Sequence, residues 1–490
     1  MMKKQVQVKH SLFTFHFSLF TSEALFTLLF GVVVFLFFGL AYPHHLHYQE
    51  QYQLFLFDST YVWDIVSKPG GVSDLLGRFC TQFFLFAWVG AAIIAVLLTA
   101  VQLLVLRLFN FQFSTINSQL FYGLSFVPSF LLWLFLLDEN ALLGGVWAVL
   151  LTLLALWLFV RLPKGWLRYV LIVIAVPILY ILVGPSWTGS HYHRYPTVFP
   201  ALLYAAWVSA IVLPLLIRLT GTVLRDTVSK GNWIVSTVPS VIIFIVMGSL
   251  VWKNANFKAE KVMQYDFMVC HQQWNRILET VNTEKPNNQI GVTVQNLALA
   301  MHGMLADHLF DYNQNGILGL LPDVERDATS PMPTAEAFYQ LGMIYVAQRT
   351  VFEAQEAILD FQKSGRCYKR LAQTNLILGS YEVARKYLTA LQKTLFYRDW
   401  ANETLPLLGN EEAISKHPEY GRLRQFVCSD DYYFSDHVTP DMLERLFFYN
   451  TDNRLALEYL RAYYMLTGDR EGYANLLLHL QEVKELRDKK

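Results

Sequence analysis

Residues 233–252 read WIVSTVPSVIIFIVMGSLVW and contain no charged side chain. About 20 apolar residues in a helix are enough to cross the hydrocarbon core of a bilayer. Residues 1–252 hold 13 basic and 8 acidic residues, whereas residues 253–490 hold 26 and 31, the charge density of an ordinary soluble surface. The sequence therefore predicts an all-α chain in two domains: a transmembrane helical domain over residues 1–252 and a soluble domain over residues 253–490.

Six further uncharged runs precede this one, so that the sequence predicts about seven transmembrane spans. They cover residues 24–41, 83–106, 120–137, 141–160, 170–184 and 201–217. The first run holds thirteen Leu, Phe and Val residues, which favour insertion into a bilayer. Its long lead-in and Phe-rich core favour a retained span over a cleaved signal peptide. The run at 170–184 is the least certain span, because it is short and contains Pro177.

Basic residues in the connecting segments predict the orientation. With a cytoplasmic N-terminus, ten basic residues fall on the inside and three on the outside, the bias that membrane proteins show. The ten are Lys3, Lys4, Lys9, Arg107, Arg161, Lys164, Arg168, Arg218, Arg225 and Lys230, and the three are Lys68, Arg78 and Arg194. Seven spans then place residues 253–490 outside. The predicted location is a bacterial inner membrane with a periplasmic C-terminal domain.

The predicted outer face carries a cluster of polar residues. Its first loop, residues 43–82, is longer than a connector requires and is expected to lie along the membrane surface. The polar residues are His44, His45, His47, Glu50, Asp58 and Asp64 in this loop, and Asp138, Glu139, His191, His193 and Arg194 in later loops. In a helix, His47 and Glu50 would share a face and offer two metal ligands. Nothing else in the sequence indicates a metal or another cofactor.

Two interpretations of this cluster stay open. In the first, a carboxylate such as Glu50, Asp58 or Asp64 acts as a base or metal ligand, and the His groups hold a phosphate together with Arg194. In outline such a chain resembles the GT-C class of lipid-linked sugar transferases, which carry an essential acidic residue on a long first outer loop. It departs from that class at residues 42–45, where YPHH stands in place of the paired acidic motif. In the second interpretation, the His, Tyr and Trp side chains form an interfacial belt.

The soluble half repeats a helix–turn–helix pattern. Residues 338–358 fit the tetratricopeptide pattern, and residues 368–388 fit it again, with Gly379 at the turn and Ala384 where two helices come closest. Partial or weaker copies lie at residues 261–281, 294–310 and 460–468. Stacked hairpins bury an apolar face that one hairpin cannot bury alone. The sequence thus predicts a curved α-solenoid whose groove binds a peptide or a partner helix.

Residues 405–434 break the repeat register and are predicted to be an insertion. Its aromatic cluster, Tyr432, Tyr433 and Phe434, is either a contact surface or part of a loop packed on the solenoid. The tail contains no Ser-His-Asp, HExxH, P-loop or GxGxxG pattern, and no basic stripe typical of nucleic-acid binding. The four cysteines, Cys80, Cys270, Cys367 and Cys428, have no metal-ligand spacing.

Three segments carry a resemblance to a known family. They read QYQLFLFDSTYVWDIVSKPGGVSDLLGRFCTQFF in the first loop, and NLALAMHGMLADHLF and SGRCYKRLAQTNLILGSYEVARKYLTALQKTLFYRDWA in the tail. With these segments the chain resembles, over most of its length, a family of functionally uncharacterised integral membrane proteins of Bacteroidota. The resemblance implies the two-part architecture and the bacterial inner membrane, and it brings no catalytic residue.

Two functions follow as predictions. The leading one is an inner-membrane protein that presents its helical repeats as a platform for protein–protein interaction, with the lipid bilayer and a protein as its partners. The alternative is a membrane-embedded, GT-C-like glycosyltransferase that uses a lipid-linked donor at the outer face. Transport has less support, because no predicted span contains a charged residue.

Overall fold

The computed structural model describes residues 22–51, 53–112, 122–162, 165–184, 200–220, 233–323, 331–358, 362–428 and 440–488. Over these ranges the secondary structure is helical and contains no strand, which confirms the predicted all-α class. The chain divides into two compact units, Met1–Phe257 and Lys258–Lys490, here named unit 1 and unit 2.

Unit 1 is built from long apolar helices and the shorter helices of the first loop. Over the described residues its helices are α1 (Ser22–Leu36), α2 (Pro43–Glu50), α3 (Ser59–Val66), α4 (Gly71–Thr81), α5 (Ala87–Gln112), α6 (Val127–Phe135), α7 (Leu143–Arg161), α8 (Trp166–Leu182), α9 (Pro200–Thr220) and α10 (Trp233–Asn254). A π-helical turn, Phe37–Ala41, extends α1, and 3-10 turns at Gln82–Leu85 and Gly123–Phe126 precede α5 and α6.

Four helices of unit 1 are long and apolar enough to cross a membrane. They are Ala24–Ala41, Ala87–Phe109, Leu143–Arg161 and Thr237–Asn254. Shorter apolar helices, Gly123–Phe135, Val173–Leu182 and Ala201–Leu213, lie at the other three predicted positions. Gly123–Phe135 rises only about 20 Å, against a hydrocarbon core of about 30 Å, because the chain turns at the acidic pair Asp138 and Glu139. The structure therefore shows four candidate spans over the described residues.

Aromatic rings and a few polar groups fill the centre of unit 1. The buried ring of Phe30 lies 5.4 Å from that of Phe126 and 5.1 Å from that of Phe130, between centroids. Gln102 of α5 is also buried, and its Nε2 donates to the Ser125 hydroxyl (2.9 Å). Lipid offers no hydrogen-bond partner, so a polar side chain inside a helical bundle bonds to a neighbouring helix. This bond ties α5 to the turn before α6.

The first loop packs against the ends of the long helices. Gly70 has a φ of +79°, and its backbone N–H donates to the Ile181 carbonyl oxygen at the end of α8 (2.9 Å). Gly77 of α4 lies against Gly144 of α7, where a Cβ on Gly77 would come within 2.4 Å of the Gly144 nitrogen. Only glycine permits this approach of one backbone to another.

Several helix ends share one side of unit 1 with the first loop. The Asn256 backbone N–H, just beyond α10, donates to the Tyr42 hydroxyl after α1 (3.1 Å). A Cβ on Gly145, at the start of α7, would lie 3.3 Å from Leu203 at the start of α9. We name this side the first-loop face, formed by residues 42–86, 136–145, 181–184 and 253–257. The chain leaves unit 1 on this face.

Unit 2 is a series of helical hairpins. Over the described residues its helices are α11 (Phe257–Cys270), α12 (Trp274–Glu284), α13 (Gln289–Met301), α14 (Pro331–Leu341), α15 (Ile344–Ala357), α16 (Gly365–Ile377), α17 (Tyr381–Gln392), α18 (Arg398–Thr404), α19 (Glu411–Lys416), α20 (Tyr420–Phe426), α21 (Pro440–Tyr449), α22 (Arg454–Thr467) and α23 (Arg470–Asp488).

The two clearest repeat motifs fold as consecutive hairpins, α14–α15 and α16–α17. Their turns place Gly342 at a φ of +90° and Gly379 at +78°, a region that other residues enter only with strain. Ala384 is fully buried where α17 packs on α16. The Ser364 hydroxyl caps α16 by accepting a hydrogen bond from the Cys367 N–H (3.2 Å).

Candidate functional site

On the first-loop face, α2 is docked onto the turn between α6 and α7. His45 donates from Nε2 to the Leu136 carbonyl oxygen (3.0 Å). Gln49 donates from its amide to the carbonyl oxygens of Asp138 (3.4 Å) and Ala141 (3.2 Å). The structure thus brings two of the predicted polar residues, His45 and Asp138, into one assembly.

Two carboxylates of this assembly are buried, those of Glu50 and Asp138. The Asp138 carboxylate accepts a hydrogen bond from the Asn140 backbone N–H (2.9 Å). Burial raises the pKa of Glu139 above its usual value, and the charge of Asp138 raises this pKa further. The α6–α7 turn therefore carries an acid that holds its proton to a higher pH than an exposed glutamate does.

The environment of His45 fixes its protonation state. Its side chain is buried, and burial lowers its pKa to about 4. The ring is therefore neutral near pH 7, with a proton on Nε2 that is donated to Leu136. His45 acts as a hydrogen-bond donor that anchors α2, and it does not supply a positive charge to bind a phosphate.

Asp58 and Asp64 of the first loop lie nearer to solvent than Glu50 does. Asp58 precedes α3 and its carboxylate accepts a hydrogen bond from the Thr60 hydroxyl (2.7 Å), and Asp64 is exposed on α3. Of these three candidate carboxylates, the structure thus buries Glu50 and leaves Asp58 and Asp64 more accessible to solvent. Other predicted residues lie outside the described residues: Arg194, His191, His193, Tyr432, Tyr433 and Phe434.

Two histidines of α2, His44 and His47, lie near each other. The rings of His44 and His47 have centroids 5.7 Å apart. Wherever the structure describes the chain, no group of three or more His, Cys, Asp or Glu side chains is placed to hold a metal ion. His45 and Gln49 of α2 pack this helix on the α6–α7 turn.

The first loop also contains a charge cluster that is absent from the sequence predictions. Arg78 contacts the Asp74 carboxylate through Nε (3.0 Å) and Nη2 (2.8 Å). Tyr61 lies beside this pair, and burial raises the pKa of its hydroxyl. The spacing of four residues on a helix is the available sequence signal for the ion pair. The contact with Tyr61 depends on how α3 folds back on α4.

Unit 2 contains buried ion pairs that join α16 to two other helices. Arg366 donates to both carboxylate oxygens of Asp266 on α11, at 2.6 and 2.9 Å. One turn further, Arg370 donates to Glu336 on α14 at 2.5 Å, and its guanidinium carbon lies 3.6 Å from the ring centroid of Tyr339. Charge-assisted bonds of this geometry hold helices in a fixed register. The sequence signal is the pair of arginines four residues apart.

The face shared by α14 and α16 is covered by α20, which belongs to the predicted insertion. The Tyr339 hydroxyl donates to Glu419, just before α20 (2.9 Å), and Gln373 donates to the Tyr420 hydroxyl (3.4 Å). A Cβ on Gly342 would come within 2.6 Å of Phe426. This part of the repeat surface is therefore occupied by the chain itself.

A separate groove of about 420 Å³ lies between α15, α16 and α17. It is lined by Tyr345, Gln348, Arg349, Phe352, Leu371, Asn375, Val383 and Tyr387. Tyr345, Phe352 and Val383 are exposed by about 40 to 50%, whereas Leu371 and Asn375 form a buried floor. Concave surfaces with apolar walls and a few polar groups are where ligands and partners bind.

These features define an α-helical protein with candidate membrane spans in one unit and helical hairpins in the other. A family model described as a family of unknown function (DUF6057) matches residues 17–190 and 185–488. The chain therefore belongs to this family, which confirms the predicted membership of an uncharacterised family. No curated protein and no solved structure matches the chain. The two matched stretches together extend through both units.

Proposed function

We propose that this protein is an integral membrane protein that binds a partner polypeptide in the groove between α15, α16 and α17. The half-exposed side chains of Tyr345, Phe352 and Val383 carry the proposal. Soluble surfaces rarely keep several large apolar side chains together unless a partner covers them. Fully burying one such side chain contributes on the order of 1.5–3 kcal/mol.

The groove favours a polypeptide segment that inserts one or two apolar side chains. Its volume of about 420 Å³ is at the small end of ligand sites. Its floor combines Leu371 with the amide of Asn375, which donates to the Leu371 carbonyl oxygen (2.7 Å). Helical partners commonly bind through such anchors placed in apolar grooves. The α14–α16 face is a poorer candidate, because α20 already covers it.

The repeat architecture supports the same function. We assign the hairpins of unit 2 to a tetratricopeptide-like solenoid, on the grounds that Gly342 and Gly379 form the turns and Ala384 is buried at the closest approach. Stacked hairpins form extended surfaces that bind other polypeptides. The partner that the sequence predicts for the helical-repeat domain would therefore bind in the groove between α15, α16 and α17.

We place the protein in a bacterial inner membrane, with seven spans, a cytoplasmic N-terminus and a periplasmic unit 2. In the described part of unit 1, the first-loop face carries six acidic and three basic residues, and the opposite helix ends carry one acidic and four basic residues. The former are Glu50, Asp58, Asp64, Asp74, Asp138, Glu139, Lys68, Arg78 and Lys253, and the latter are Glu23, Arg107, Arg161, Arg168 and Arg218. Basic residues stay on the cytoplasmic side, which supports an outward first-loop face.

Photocrosslinking from the groove tests the proposed binding. A benzophenone side chain at Val383 of the full chain, in native membranes, should capture one discrete partner that mass spectrometry identifies. Phe352→Asp should remove this product, because a charge would be desolvated when the partner binds. The matched control is a benzophenone at Glu382, the adjacent exposed position on α17. The same product from Val383 and Glu382, or a product that Phe352→Asp leaves unchanged, would refute the proposal.

A second candidate function is the GT-C-like glycosyltransferase, and the burial of Glu50 favours it. A carboxyl group in a poorly solvated site is suited to acid or base catalysis. Glu50→Gln should then abolish complementation of a deletion strain, at equal protein level, while Asp64→Asn and Asp58→Asn leave it intact. Full complementation by all three variants would eliminate Glu50, Asp58 and Asp64 as catalytic residues.

A further inference from the structure

The first loop presents exposed aromatic side chains beside the ends of apolar helices. Trp63 is 70% exposed, and Phe57, Phe86 and Trp88 are each about half exposed. Trp88 stands in the first turn of α5, where its ring packs on Phe35 of α1 with centroids 5.4 Å apart. The row of aromatic side chains therefore continues onto the sides of two candidate membrane spans.

Ring contacts underneath connect this row. Phe55 is buried and contacts Phe57 and Phe79, with centroid distances of 5.1 and 5.4 Å. Phe79 in turn contacts Phe83 at 5.6 Å. Edge-to-face pairs of this kind add to the stability of the packing. The chain of rings leads from the segment before α3 to the segment before α5 without a polar interruption.

The helix α3 has three distinct faces. Its inner face is fixed, since Ile65 is buried and the Tyr61 hydroxyl donates to the Leu54 carbonyl oxygen (2.9 Å). At about 100° per residue, one flanking stripe contains Val62, Trp63 and Val66 and is apolar except for Ser59 at the helix start, and the other contains Thr60, Asp64 and Ser67. A helix with one apolar and one polar stripe suits a boundary between water and lipid.

We propose that α3 lies in the headgroup region of the leaflet at the first-loop face, with Trp63 and Phe57 inserted among the lipids. Tryptophan is favoured at this depth because its indole is amphipathic, and amphipathic helices bury their apolar face about 5–10 Å into the boundary. Lipid fits this surface better than a protein does, because the row runs into the sides of α1 and α5, where Leu40 and Trp88 are also exposed. The anchor would hold the whole first loop level with the membrane.

Spin labels on α3 test this placement. The full chain with Cys80→Ser and Cys270→Ser, whose other two cysteines are buried, carries a label at Trp63→Cys and is reconstituted in nanodiscs of phosphatidylethanolamine and phosphatidylglycerol. Power-saturation EPR then compares collisions with lipid-soluble O₂ and water-soluble NiEDDA. The O₂/NiEDDA ratio should be several-fold higher at Trp63→Cys than at Asp64→Cys, the adjacent position on the polar stripe.

Equal and low ratios at the two positions would show that α3 lies in water, and equal and high ratios would show that its polar stripe is also in lipid. Either result would overturn the proposal. Exclusion of the label at Trp63→Cys from both reagents, with dipolar broadening between labelled chains, would assign the surface to a second copy and would overturn it as well. Phe57→Cys carries the same label on the same row of aromatic side chains. It replaces Trp63→Cys if that variant does not fold, with the same expected ratio.

Discussion

At the scale of single residues, His45 makes the attachment of the first loop sensitive to pH. Its pKa is about 4 in the folded chain, against about 6.5 in an unfolded one. The contribution of neutral His45 to the free energy of unfolding is complete above pH 6.5. It is lost as the pH falls towards 4, because only the unfolded chain takes up a proton on this residue in that range. We expect the free energy of unfolding to fall by about 2 kcal/mol between pH 7 and pH 5 because of this residue.

The measurement is the thermal unfolding of the full chain in detergent, followed by tryptophan fluorescence at both pH values. His45→Gln keeps an N–H donor for Leu136 and does not titrate in this range, so that its midpoint should fall less on acidification than that of the wild type. Comparing the two chains separates His45 from every other titrating group. An equal shift in both would contradict the assigned role.

The buried ion pair of Asp266 and Arg366 is a second case at this scale. The stability cost of losing one of its residues depends on whether the other residue stays charged. Asp266→Ala leaves a buried guanidinium without its carboxylate, which costs about 3–5 kcal/mol. The double variant Asp266→Leu with Arg366→Met should recover most of this loss, because apolar residues can replace a buried ion pair. Hydrogen exchange of the α11 and α16 amides in the full chain measures both effects.

The control for that experiment is the exposed pair of Glu412 and Lys416, 2.5 Å apart on α19. Glu412→Ala should leave the protection of α11 and α16 unchanged, because an exposed ion pair contributes little. If Asp266→Ala and the double variant lost protection equally, packing around α11 would be the cause, and the buried charge would not.

At the scale of helices, the contact between α4 and α7 depends on two glycines. A Cβ on Gly77 would overlap the backbone of Gly144, so that Gly77→Val must push the helices apart, at a cost of about 1–3 kcal/mol. The first loop should then become sensitive to protease in membranes at pH 7. Gly248→Ala is the control, because a Cβ there meets nothing within 4 Å. Equal protease resistance of Gly77→Val and the wild type would show that α4 does not depend on this contact.

The sequence predicts these helices better than it predicts their contacts. The apolar runs and the glycines of the hairpin turns are local signals, and the structure has helices at those places. His45 and Leu136 lie 91 positions apart and Asp266 and Arg366 lie 100 apart, so that no local pattern pairs them. The packing of α20 on the α14–α16 face is likewise not predictable from a local pattern. The sequence shows that residues 405–434 break the repeat, but it does not indicate which helices they contact.

At the scale of the whole molecule, the candidate site could be predicted only in part. Charge counts indicate an asymmetric membrane unit, and His45 bonds to Leu136 in the turn that carries Asp138. The groove between α15, α16 and α17 could not be located, because side chains such as Phe352 read as ordinary core positions of a repeat. Phe352 is exposed because the neighbouring hairpins leave the groove side of α15 uncovered.

The arrangement of unit 1 makes a prediction about which positions share a compartment. Lys68 and Lys253 lie on the first-loop face and Arg161 lies at the opposite helix end, all three exposed. In intact spheroplasts of the chain without Cys80 and Cys270, a membrane-impermeant maleimide should label Lys68→Cys and Lys253→Cys but not Arg161→Cys. Labelling of Arg161→Cys should require permeabilised cells. If the first two labelled only after permeabilisation, their shared face would stand and the orientation would be reversed. If they differed from each other, an odd number of spans would separate Lys68 from Lys253, in place of the six spans of the proposed arrangement, and the seven-span topology would be wrong.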